Sequence, residues 1–108
     1  MLILGKIKEA DVELIRGVYL GLELTFSLNG GESEVSSGGK YTANTSERCE
    51  YETRTREEAY SESFEFIKKT LKKAGVDSVS ELKGIPVEVV VGDAGGAFKT
   101  FRILEEVL

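Results

Sequence analysis

Few residues of this sequence are spaced for chemistry. Glu32 and Glu34, and likewise Glu50 and Glu52, stand two apart, so each pair shares one face of an extended segment. Such pairs can do acid/base work or bind magnesium. Alternating Glu is also common on exposed strand faces, and the pairs are read in that sense. Cys49 has Arg48 and Arg54 nearby to lower its thiol pKa, but no base and no second cysteine, and reads as a passive thiol. Gly39-Lys40 suggests a phosphate loop, yet Glu34 replaces the first glycine of that motif and Tyr41 its Ser/Thr. Gly92, Gly95 and Gly96 lead into a strand rather than a helix, so no helix N-terminus would receive a pyrophosphate.

The sequence contains no histidine. That removes Ser-His-Asp and Cys-His nucleophilic sites, histidine general bases and the usual zinc and iron triads. With one cysteine there is no internal disulfide and no CxxC metal knuckle, which fits a reducing cytoplasm. No cofactor, no metal and no enzymatic activity are expected.

Binding is the alternative to catalysis. Tyr41, Arg48, Tyr51, Arg54 and Arg56 form an aromatic and arginine-rich stretch interleaved with acids, and these two residue types are enriched at binding hot spots. Loops commonly carry function. The candidate partner-binding residues are therefore Glu32, Glu34, Lys40, Tyr41, Arg48, Glu50, Tyr51, Glu52 and Arg54, with the Gly/Ser run at 36–39 beside them. The opposing reading has the tyrosines capping the sheet edge and the arginines pairing with neighbouring glutamates.

Charge narrows the partner. The net charge is −5, with seven Glu against three Arg over residues 47–65 and seven Lys/Arg against four Asp/Glu over 66–102. A nucleic-acid backbone needs a basic surface that displaces counterions, and this chain has no Lys/Arg run of that kind. An acidic protein more naturally meets a basic protein partner.

The elements that must position these residues are legible from periodicity. At 108 residues, 41% hydrophobic and 31% charged, the chain reads as one domain, 1–108, able to bury a single core. The apolar start runs four residues before Gly5, too short for a signal-peptide core or a membrane span, and reads as a strand over 2–8. A second strand is expected over Asp11 to Val18. Tyr19 to Asn29 alternates, with Leu20, Leu22, Leu24, Phe26 and Leu28 on one face, as a half-buried antiparallel strand does. Asn29-Gly30-Gly31 turns the chain. Glu32 to Ser46 is either a loop leading to a short strand near Lys40 to Ala43 or a bulged edge strand.

Thr55 followed by Glu58 makes a capping box, and Gly75 with Val76 a left-handed ending, which predicts a helix from Arg56 to Ala74. Tyr60, Phe64, Ile67, Leu71 and Ala74 fall at spacings of four, three, four and three, and this stripe is expected to be core. Its acids lie in the first half and its lysines in the second, each complementing the helix dipole. Ser78 with Glu81 predicts a short helical turn. Pro86 opens a strand with Ile85, Val87, Val89 and Val91 on one face. Ala97 to Leu104 returns, with Phe101 and Ile103 on one side and Phe98, Thr100 and Arg102 on the other. The order β-β-β-(β)-α-β-β predicts an α+β fold, an antiparallel or mixed sheet of four to five strands with one main helix on one face.

Three segments carry a resemblance: Leu82-Lys-Gly-Ile-Pro-Val-Glu-Val with the ending from Phe98 to Leu108, Gly38-Gly-Lys-Tyr-Thr, and Leu71-Lys-Lys-Ala-Gly-Val. Together they make most of the chain resemble small uncharacterised proteins of bacteriophages and prophages. The resemblance implies a phage-encoded protein acting in the bacterial cytoplasm and brings no activity to transfer. The function expected is non-enzymatic binding of a protein partner, as an inhibitor of a bacterial nucleic-acid-handling defence system in the anti-CRISPR manner. Two alternatives are a replication or recombination accessory protein holding single-stranded nucleic acid on exposed aromatics and Lys68, Lys69, Lys72 and Lys73, and a carboxylate- and metal-dependent enzyme or nucleotide binder. No membrane contact is expected, and a homo-oligomer is allowed.

Overall fold

The computed structural model describes residues 1–46, 55–93 and 96–108. Its elements are β1 (Leu2–Ile15), β2 (Tyr19–Leu28), β3 (Ser33–Ser36), β4 (Thr42–Asn44), α1 (Arg56–Ala74), β5 (Pro86–Val91) and β6 (Phe98–Ile103). The fold is α+β. An antiparallel sheet runs in the order β3-β2-β1-β5-β6, β4 also pairs with β2, and α1 packs on one face.

The two strands expected over residues 2–18 are one. The pairing of β1 with β2 slips between Ile7 and Glu9, and this bulge shifts the inward face from Ile3 and Ile7 to Ala10, Val12 and Leu14. A single continuous strand thus shows the broken alternation of two. Arg16 and Gly17, both left-handed at φ 53° and 74°, turn it into β2.

The segment from Glu32 to Ser46 combines both alternatives left open for it. Ser33–Ser36 and Thr42–Asn44 each pair with β2, and between them Ser37 to Tyr41 stand opposite Leu22 to Leu24. The insertion is held by Glu23, whose carboxylate accepts from Ser37 Oγ at 2.7 Å and from the amides of Gly38 and Gly39 at 3.0 and 3.1 Å.

Helix α1 has the expected ends. Thr55 Oγ1 accepts from the Glu58 amide at 3.2 Å, Gly75 is left-handed at φ 71°, and the Val76 amide donates to Leu71 O at 3.1 Å. Its inward face keeps Ile67, Leu71 and Ala74 of the expected stripe but not Phe64. The residues it buries are Ala59, Thr70 and Ala74, with Phe66, Ile67 and Leu71 packed against the core, while Phe64 is exposed. Small side chains at 59, 70 and 74 let the backbone approach the sheet, and that closeness fixes which part of the apolar arc faces inward.

After α1, a helical turn at Val79–Leu82 buries Leu82, and Ser78 Oγ donates to the Glu81 side chain rather than capping the backbone. The β5–β6 pairing slips between Val90 and Val91. The slip turns Phe98 onto the face of Phe101 and Ile103 rather than the opposite one, and its ring stacks on Phe26 at 5.3 Å. Phe26 also meets Phe101 at 5.0 Å, although β1 and β5 lie between their strands, so the sheet is strongly curled. Ile7, Leu22, Leu24, Phe26, Leu82, Val87 and Val89 are fully buried, each contributing about 1.5–3 kcal/mol of transfer free energy. No helix among the described residues is long and apolar enough to cross a membrane.

Candidate functional site

The β1–β2 hairpin reaches further than α1 covers. Beyond Ala10 and Leu22 the inward face of the hairpin continues as Val12, Leu14 and Leu20, paired as Val12 with Leu22 and Leu14 with Leu20. These side chains have the pattern of core residues and, among the described residues, no helix above them. Phe64 stands at their edge on α1. Exposures are 71% for Phe64, 56% for Leu14, 52% for Val12 and 43% for Leu20, all large for apolar residues next to a core.

Between hairpin and helix lies a hollow of about 360 Å³, walled by Val12, Leu20, Ala43, Tyr60, Phe64 and Ile67. Among the described residues no carboxylate or amine lines it. Its two aliphatic hydroxyls are already spent, since Thr45 Oγ1 donates to Val18 O at 2.8 Å and Ser63 Oγ to Tyr41 O at 3.3 Å. The hollow, among the described residues, therefore offers mainly apolar contact, with the Tyr60 side chain as a further hydroxyl-bearing group in its wall. Burial of apolar surface is what it can do.

A second cleft lies across α1, about 160 Å³ between the helix and β6, with Tyr41, Phe66 and Phe101 as its floor and Lys69, Lys73 and Arg102 at its rim. Arg102 is engaged by Glu106 at 3.2 Å and Glu88 at 3.5 Å. Tyr41 is stacked on Phe66 at 3.9 Å; burial pushes its hydroxyl pKa up, and the Thr100 side chain pulls it back. Among the described residues no three Asp, Glu or Cys side chains gather as metal ligands do.

The candidates taken from the sequence do not form one surface. Glu32 sits in the helical conformation after the turn (φ −67°), so it does not share an extended face with Glu34. Glu34 on β3 is ion-paired with Lys8, a contact that raises the Lys8 pKa by hydrogen bond and charge. Lys40 donates to Lys99 O and lies 5.6 Å from the Phe98 ring, tying the insertion to β6. Tyr41 faces the aromatic core. Arg48, Glu50, Tyr51, Glu52 and Arg54 lie outside the described residues.

Sequence reasoning missed Val12, Leu14, Leu20 and Phe64 as site residues. A signal for them exists: α1 carries apolar residues at 59, 60, 64, 66, 67, 71 and 74, an arc wider than one sheet face can cover. No family model matches the chain, and no curated protein or solved structure matches it either.

Proposed function

We propose that the protein is a non-enzymatic binding protein that holds another polypeptide in the hollow between the β1–β2 hairpin and α1. The observation that carries this reading is Phe64, a large aromatic left 71% exposed beside an uncharged apolar hollow continuous with the core. Exposed apolar patches of this kind mark association surfaces, and an aromatic anchor beside a hollow is the usual composition of a hot spot. With the bacteriophage-type resemblance, the reading extends to a cytoplasmic bacterial protein as partner and to inhibition of a nucleic-acid-handling defence system as its purpose. The acidic net charge favours a protein partner over a nucleic acid.

The test is retention from a bacterial lysate on the immobilised chain, with Phe64→Asp and Val12→Asp as matched baits. Proteins held by the native chain and released by both variants are expected. Identical retention by all three baits overturns the reading.

A further inference from the structure

The exposed face of α1 carries its own complement. Glu57, Ser61, Phe64 and Lys68 recur at spacings of four, three and four, so they form one stripe along the helix, and all four are exposed. Placed antiparallel against a second copy of itself about a twofold axis, the stripe sets Glu57 against the other copy's Lys68 and the large Phe64 against the small Ser61. Opposite charges and opposite sizes meet at every position. Glu57 and Lys68 have no ion-pair partners within the chain among the described residues.

Charge disfavours the hairpin end of the outward sheet face for the same role. Toward the hairpin end the outward face of β1 presents Glu9, Asp11 and Glu13, whereas at the start of β1 it exposes Leu2 and Leu4. Two such acidic ends repel, the more so in a chain of net charge −5. The α1 stripe is locally neutral and adjoins the hollow, which lies ready beside each protruding Phe64.

We infer that the first occupant of the hollow is a second copy of this chain, in a twofold dimer with antiparallel α1 helices and Phe64 of each copy packed over the hollow of the other. This rests on the reading of the hollow as a polypeptide-binding site and names its partner. An external partner then competes with the second copy for the same contacts.

Sedimentation equilibrium of the full chain tests it. The native chain is expected to approach twice the chain mass as concentration rises, and Phe64→Asp to remain at the single-chain mass with unaltered circular dichroism. Glu57→Lys and Lys68→Glu should each weaken association roughly tenfold at low salt, because each places two like-charged pairs across the axis. The double variant E57K/K68E reverses both pairs and should restore association to within roughly twofold of native. That rescue follows only from a self-facing, antiparallel stripe, and it serves as the test even if Phe64→Asp fails to fold. A native chain that stays single at every concentration overturns the inference, as does a double variant no better than the single ones. If the chain stays single yet retains a lysate protein that Phe64→Asp releases, the dimer falls and the binding function stands; if neither occurs, both fall.

Discussion

Glu23 shows how far one side chain can depart from what its position implies. By alternation it belongs to the solvent face of β2, one of many acids on an acidic chain. Its carboxylate instead gathers the Ser37 hydroxyl and the Gly38 and Gly39 amides, occupying with a protein oxygen the nest that such glycines would offer to an anion. The pairing could not be read from the sequence, because it depends on a two-residue excess in the return strand that only the register reveals. Glu23→Ala should destabilise the fold by about 2 kcal/mol, and Glu23→Gln by about half that, since the amide keeps one acceptor oxygen. Urea unfolding midpoints at constant slope measure both. Tyr41 makes a second prediction at this scale. Burial holds its proton above the ordinary value near pH 10, so between that pH and the folded-state pKa the unfolded chain deprotonates first. Stability is unaffected below about pH 10 and falls as pH rises beyond it. Tyr41→Phe should remove part of this alkaline loss, seen as a flatter melting temperature between about pH 9 and about pH 11.

At the scale of elements, the order of strands and helix, the ends of α1 and the two hairpins follow from capping residues, glycines and alternation, all local signals. The sequence was less informative wherever a bulge intervened. Lys8 joins two expected strands into one, Lys99 brings Phe98 to the core side, and the insertion at 37–41 splits an edge strand in two. A bulge changes the face of everything after it, and one extra residue leaves little trace in composition. The site suffered for a related reason: periodicity shows that α1 has an apolar arc but not which portion the sheet will cover. Gly21 ties these elements together. A Cβ there would lie 2.4 Å from Tyr41 O and 2.7 Å from Thr42 Cα, both backbone atoms that cannot swing aside. Gly21→Ala should therefore detach β4 from β2 and cost about 2–3 kcal/mol. Accelerated amide exchange at Thr42 to Asn44, with the centre of β5 unchanged, would locate the damage.

Seen whole, the molecule is, among the described residues, a curled sheet with a single α-helix, and that helix leaves Val12, Leu14 and Leu20 of the hairpin exposed. A fold selected only for stability would shorten the hairpin or place polar residues at 12, 14, 20 and 64; here the apolar pattern runs on past its cover. The two phenylalanines of α1 separate the consequences. Phe66 stacks on Tyr41 at 3.9 Å and meets Phe101 at 6.2 Å, so truncating it opens space beneath the helix, and Phe66→Ala should cost about 3 kcal/mol. Phe64, two residues away, has most of its surface in water, so Phe64→Ser should change stability by less than about 0.5 kcal/mol while removing dimerisation and lysate retention together. Thermal unfolding at low concentration, where association does not contribute, gives the first quantity, and sedimentation at high concentration gives the second. The contrast is decisive because the substitutions share a helix, a residue type and a size. If Phe64→Ser proves as costly to the isolated chain as Phe66→Ala, the hollow is an ordinary part of the core, and the case for an association surface fails with it.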